Sequence, residues 1–326
     1  MKNIITAKFT NIMNNLRSKN HRSFKIIFSL GLFLSSQKMF LKASTPEHFF
    51  GDPLFLLSPV AQSLGGAAFS LKDAHDSILL NPASGAFASE YSVHGNFSSA
   101  ARTLSASIFD SKSTVVGAGF AYIRRSIEKD DTSKLYTSGN TEMTYQGLNL
   151  SVFGKLQENF GVGLTLRYSI RNKSSSTDLN AQSWNGDFGA AFKLLPQLTL
   201  GAVYKNILGD KKNLEPRLFA GGLSYDLLPE FTITGGIEKY AASSDTPTFG
   251  IPNDSKINWA LGAQYFLKAY SLSLRAGLRE AAAWNTQAAC AGLTYKKENI
   301  QIDYSLVSVL KGTKTSVHSI GLGIIF

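Results

Sequence analysis

The sequence predicts an all-β fold: a transmembrane antiparallel β-barrel of about 14 strands with an N-terminal plug or hatch segment. Three observations carry that expectation. Apolar and polar residues alternate with period two from about residue 90 onward, the connections between these runs switch regularly between tight and long, and the last run ends on an aromatic residue.

Composition sets the frame. Of 326 residues, 44% are hydrophobic and only 17% charged, with 28 Gly, 12 Tyr and 22 Phe, too apolar for a disordered chain and too poor in charge for an ordinary soluble one. The single Cys excludes disulfide frameworks and Cys-rich metal sites. A net charge of +10 would fit a nucleic-acid partner, but eight of the 33 Lys and Arg fall in residues 1–44, which hold no Asp or Glu, and the remaining 25 nearly balance the 23 acids. No nucleic acid is therefore expected as a partner.

Residues 1–43 read as a signal peptide. A basic, Asn-rich opening from Lys2 to Lys25 runs into the apolar stretch Ile26–Leu34 and then into small residues, Ser35, Ser36, Ala43 and Ser44. The apolar run is well short of the roughly 20 residues of a spanning helix.

Residues 90–326 read as the barrel. Val162, Leu164, Leu166, Tyr168 and Ile170 alternate with Thr165, Arg167, Ser169 and Arg171, and Leu272, Leu274, Ala276 and Leu278 alternate with Ser273, Arg275 and Arg279. The same criterion places strands near Glu90–Phe97, Arg102–Phe109, Thr114–Arg124, Met143–Phe153, Phe160–Arg171, Gln182–Lys193 and Leu198–Lys205. It continues with Pro216–Tyr225, Phe231–Tyr240, Lys256–Phe266, Tyr270–Arg279, Thr286–Tyr295, Asn299–Val307 and Ser316–Phe326. These are about the length of a tilted membrane strand. A soluble β-sandwich alternates too. Connection length separates the two, because tight turns such as Asp110–Ser113 and Lys296–Glu298 take turns with longer polar stretches such as Arg125–Glu142 and Ala241–Ser255.

The final strand puts Ile320, Leu322, Ile324 and Phe326 on one face. This resembles the C-terminal assembly signal of bacterial outer-membrane proteins, which implies outer-membrane lipid and the barrel assembly machinery as partners and the bacterial outer membrane as the location. Tyr168, Tyr204, Tyr225, Tyr265, Tyr295, Trp184 and Trp259 fall on outward positions near strand ends, as an interfacial girdle requires.

Residues 44–89 are apolar but do not alternate. They hold Leu64-Gly65-Gly66-Ala67, a short charged turn from Lys72 to Asp76, and Asn81-Pro82-Ala83 directly before the first strand. This order resembles the N-terminal region of the FadL and PorV/PorQ superfamily of outer-membrane barrels, with a departure at Ser84-Gly85, where Gly-Leu or Gly-Met is usual. Irregular backbone cannot face lipid, so such a segment packs in the lumen as a plug, or beneath it. The resemblance implies one of two roles: a PorV-type barrel working with secretion-system components and secreted cargo, or a FadL-like channel for a hydrophobic ligand. Leu64–Ala67 is closer to the PorV branch, which makes secretion or surface assembly the first expectation. Transport requires an apolar route to a gap in the wall, whereas an interaction barrel is sealed.

No catalytic, metal or cofactor site is expected. Gly117-Ala-Gly119, Gly161-Val-Gly163 and Gly321-Leu-Gly323 continue strand alternation and read as smooth lumen stripes that leave room for a plug, not as nucleotide loops. Asp73, His75 and Asp76 read as a solvated turn, not as part of a barrel hydrolase. Cys290 falls on an inward face beside Ala288 and Gly292. The inward charges Arg167, Arg171, Lys205, Arg275 and Arg279 are expected to pair with Asp187, Glu238 and Asp303, fixing the plug, with an anionic headgroup as the other use.

Overall fold

The computed structural model describes residues 53–71, 74–112, 116–127, 143–173, 181–208, 217–241, 256–311 and 316–326. The expected signal peptide lies outside the described residues. Fourteen strands form one closed sheet: β1 (Tyr91–Ser98), β2 (Thr103–Asp110), β3 (Val116–Ile127), β4 (Met143–Gln157), β5 (Phe160–Lys173), β6 (Ala181–Leu195), β7 (Leu198–Lys205), β8 (Leu218–Leu228), β9 (Phe231–Tyr240), β10 (Ile257–Leu267), β11 (Leu272–Ala281), β12 (Thr286–Lys297), β13 (Ile300–Lys311) and β14 (Ser316–Ile325). Each pairs antiparallel with its chain neighbours, and β1 closes on β14 through Ser92–Ile325 to Ser98–Ser319. Closure leaves no edge, so every strand has a partner on both sides.

Each expected strand overlaps an observed one; the largest differences are at the ends of β4 and β13, which run on to Gln157 and Lys311. The turns at one end are tight, with Ser271 and Glu298 in the left-handed region at φ 52° and 53°. The other end carries the long connections, with three exceptions, one of them the four residues 312–315 between β13 and β14. β1–β2 turns through Ala100–Arg102, and β11–β12 turns through Ala282–Trp284 with Asn285 at φ 53°.

Strand pleating sorts the side chains as the alternation requires. Leu164 is 54% exposed on the outside of the barrel, whereas Thr165 next to it is 3% exposed inside. Leu166, Leu274, Leu278, Ile320, Leu322 and Ile324 join Leu164 in an apolar outer belt, while Arg279, Asp303 and Ser305 are buried inside. At the long-loop end the belt closes with outward polar tips bonded to neighbours: Tyr168 donates to Gln182 at 2.9 Å and Trp259 to Glu280 at 3.0 Å. At the short-turn end Phe231 packs on Tyr265, ring centroids 6.4 Å apart, and Tyr91 on Phe326, 5.4 Å apart. The Phe326 amide donates to the Tyr91 carbonyl at 2.8 Å, which zips the last residue onto β1.

An apolar belt of this register makes a clear prediction. In reconstituted bilayers, Leu164→Arg and Leu274→Arg should each cost about 2–4 kcal/mol near the midplane. Ser273→Arg, on the inner face, should cost much less. Equal shifts in urea midpoint for all three would mean that the faces are assigned the wrong way round.

Candidate functional site

Residues 53–71 and 74–90 lie against the inner wall. They fold as a 3-10 turn (Pro53–Leu56), helix α1 (Pro59–Ser63), helix α2 (Ala74–Ser77) and a 3-10 helix (Pro82–Phe87). Ser58 caps α1: its hydroxyl accepts from Val60 and Ala61 amides, and Pro59 sits at the first helical position, where its missing N–H costs nothing. The Ser58 hydroxyl in turn donates to Asp76 at 2.5 Å, and its amide donates to the same carboxylate at 3.2 Å. Asp76 is buried, which corrects the expectation of a solvated turn at this residue. The Ser58 cap needs an acceptor for its hydroxyl proton, and the acid supplies it. Gln62, fully buried on α1, accepts from Ser305 at 3.1 Å and Ser319 at 2.6 Å, tying the helix to β13 and β14.

The two sequence motifs occupy different parts of the wall. Gly65 and Gly66 take φ +68° and +85°, and Leu64 and Gly65 press on Gly277 of β11, where a Cβ would stand 2.4 Å from the Leu64 carbonyl carbon. Ala67 lies over Gly236 of β9. Asn81 is fully buried: its carbonyl oxygen accepts from the Ala83 amide at 3.1 Å, and its amide donates to the carbonyls of Phe69 at 2.9 Å and Ala190 at 3.2 Å. Pro82 and Ala83 lie against Gly163 and Gly189 on β5 and β6.

Of the glycine pairs singled out in sequence, Gly119, Gly161 and Gly163 do receive the segment, at Ile78, Ala86 and Pro82. Gly117, Gly321 and Gly323 do not; their space is filled by Phe153, by Asn96 with Asp303, and by His94, side chains of neighbouring strands. A glycine on a strand makes room equally for a plug or for a large neighbour one strand away, and spacing within one strand cannot distinguish them.

The inner charges are connected. Arg167 pairs with Asp187 at 2.7 Å and also reaches Asn149 and Asn206, at 2.8 and 3.0 Å. Arg279 pairs with Glu238 at 2.8 Å. Arg275 donates to Thr294 at 2.6 Å, and Thr294 bonds Asp303, so that link runs through a hydroxyl. The ammonium of Lys205 donates to the Leu79 carbonyl. The side chain of Arg171 lies outside the described residues.

One part of the wall escaped the sequence reading. Pairing aligns Gly161, Ala191, Gly201, Gly222, Gly236 and Ala260 in a single inward row across β5 to β10. Alongside it Ala190, Ala202 and Gly221 form an outward row on β6 to β8 that ends on Ile237 of β9, while the outward Gly235 stands opposite Leu223. Around Gly221-Gly222 and Gly235-Gly236 the wall is bare on both faces. Inside, Phe69 covers the bare patch, its Cβ 3.2 Å from the position of a Cβ on Gly222. Outside is a groove of about 770 Å³, rimmed by Phe160, Phe192, Leu200, Leu223, Ile237, Trp259 and Leu261. The strand ladder itself is continuous here: among the described residues the wall is thinned, not opened.

The fold is that of known hydrocarbon channels. The CymD monoaromatic hydrocarbon channel is 14% identical, with a TM-score of 0.66 over 84% of this chain and 98% of its own. The Pseudomonas putida toluene transporter TodX is 12% identical, with a TM-score of 0.59 over 82% of this chain and 96% of its own. A Pseudomonas aeruginosa FadL homologue is 12% identical, with a TM-score of 0.56 over 82% and 98%. No family model matches the chain, and no curated protein matches it in sequence. Identities this low establish the shared fold.

The fit between segment and wall can be tested at Gly201, where a Cβ would stand 2.3 Å from the Phe69 carbonyl oxygen. Gly201→Val should leave a heat-modifiable barrel while exposing residues 53–90 to limited proteolysis. Asn81→Ala, which removes a cap of about 1 kcal/mol and two further bonds, should act the same way more mildly. Protease resistance equal to the parent in both would contradict the packing.

Proposed function

We propose that this chain is an outer-membrane barrel that passes hydrophobic small molecules, a FadL-like channel in which residues 53–90 form a hatch. The observation that carries the reading is the bare patch at Gly221-Gly222 and Gly235-Gly236, with Phe69 on its inner side and an apolar groove on its outer side. A wall without side chains is the cheapest place for a hydrophobic molecule to move between lumen and lipid, because few packed atoms have to shift. The apolar belt, the two aromatic girdles and the assembly-signal face of β14 support an outer-membrane location and contact with lipid and the assembly machinery. The similar structures named above include a channel and a transporter, which favours transport over the secretion role suggested by Leu64–Ala67. No enzymatic step is part of the reading.

The secretion or surface-assembly role is the second reading, favoured by the continuous ladder, since a sealed barrel suits a protein that binds cargo without passing solutes. The two separate in one experiment. Expressed in a host lacking its own hydrophobic channels, the chain should raise uptake of the probe N-phenyl-1-naphthylamine. Ala202→Phe, which fills the groove, should lower that uptake several-fold. Gly95→Trp, placed outward on β1 where a side chain meets open space, should leave it unchanged. Uptake no greater than in the empty host would reject transport and leave the secretion reading.

A further inference from the structure

Two cations in the lumen hold backbone carbonyls of the inner segment, and one of them is aimed by a buried carboxylate. Glu238 on β9 is buried, pairs with Arg279 Nη2 at 2.8 Å and accepts from Asn258 at 3.1 Å. The other arm of the guanidinium, Nη1, donates to Glu238 Oε1 at 3.3 Å and to the Gly65 carbonyl at 3.4 Å. Lys205 on β7 donates from its ammonium to the Leu79 carbonyl. Gly65 begins the stretch 65–71 that carries Phe69, and Leu79 stands two residues before Asn81, whose amide holds the Phe69 carbonyl. The two ties therefore bracket Phe69.

We propose that Glu238 is a positioning residue: through Arg279 it sets one point of a two-point latch, with Lys205 as the other, that holds Phe69 against the bare wall. The assignment concerns what fixes Phe69 and stands independently of what the barrel carries. The choice of chemistry supports it. Apolar packing alone would fasten the segment more cheaply than buried charge, since removing ions from water is costly and a buried pair often does no better than hydrophobic residues of the same volume. A charge cluster has a different property: it fails as a unit. Without Glu238, Arg279 is a buried charge with its counter-ion gone, and it loses the geometry that aims it at Gly65. The ties also end on carbonyls, so water can replace each of them without a change in covalent structure. Among the described residues the wall adds the Ser224 hydroxyl on the Ser70 carbonyl, at 3.3 Å, and the Asn81 and Ser84 bonds to Phe69 come from the segment itself.

The test reads exposure of Ser70, which is buried beside Phe69. Ser70→Cys is placed in the full chain with Cys290→Ala, and its reaction with N-ethylmaleimide is followed in reconstituted bilayers alongside heat-modifiability as the measure of an intact barrel. The parent should react slowly. Glu238→Gln should speed labelling by about tenfold or more, a modest share of what an uncompensated buried charge costs. Arg279→Lys keeps the charge but lacks the fork that reaches Glu238 and Gly65 together, and Lys205→Met removes the second tie; each should speed labelling with the barrel intact. A folded Glu238→Gln barrel labelled as slowly as the parent overturns the latch. If that variant does not fold, slow labelling in Arg279→Lys overturns it instead. Fast labelling in Glu238→Gln with slow labelling in both cation variants also overturns it, because the ties would then not be what holds the stretch.

Discussion

Everything inside this barrel depends on one steric condition: irregular backbone can lie on a β-sheet only where the sheet carries no side chain larger than a methyl. The inward row from Gly161 to Ala260 meets that condition across six strands, and Gly163, Gly189, Gly262 and Gly277 extend it. On this surface the segment can satisfy its own polar groups at short range. The Asn81 amide reaches the Phe69 and Ala190 carbonyls only because no Cβ stands at Gly189 or Gly201; one at Gly189 would sit 2.1 Å from the Asn81 oxygen. Glycine weakens a strand by losing more conformational freedom than other residues. Here the closed ladder tolerates that loss, and close approach of the segment offsets it.

The same condition thins the wall. Because neighbouring residues of a strand point to opposite faces, Gly221-Gly222 and Gly235-Gly236 remove side chains from both sides at once, where a plug alone would need glycine only at Gly222 and Gly236. The outward members of these pairs, with Ala190 and Ala202, are what leave the external groove. That two-sidedness is the physical reason for linking the inner segment to a path through the wall, and it is why Phe69, the aromatic side chain on the inner side of the patch, is the residue whose position matters most.

Much of this was legible in the chain. Period-two alternation located the fourteen strands and the faces of Leu164, Leu274 and Ile320, because register within a strand is a local property. Asn81-Pro82-Ala83 was visible as a motif, although its role as a side-chain clamp needs β6 and β7 in place. What was not legible depends on register between strands. Arg279 and Glu238 lie on β11 and β9 with β10 between them, so nothing in the spacing pairs them. Asp76 looked solvated because it sits in a polar stretch; only the position of Ser58, eighteen residues earlier, makes it a buried acceptor. The bare patch draws one or two small residues from each of several strands, a pattern no single window contains. The resemblance that carried the functional expectation covered both a transporter and a secretion branch, and the proposal of transport draws on the wall, which the motif region does not include.

The central claim is that Phe69 occupies the inner side of the wall at Gly222 and that this position controls passage. Its Cβ and one built on Gly222 are 3.2 Å apart, just under the separation of about 3.5–4.5 Å in a disulfide. The decisive measurement is uptake of N-phenyl-1-naphthylamine by cells carrying Phe69→Cys and Gly222→Cys with Cys290→Ala, before and after reduction. The account predicts that oxidation joins the two cysteines in the folded barrel, that uptake is low while the bond is intact, and that reduction raises it. Failure of the bond to form in a folded barrel, or uptake indifferent to reduction once it has formed, would contradict it.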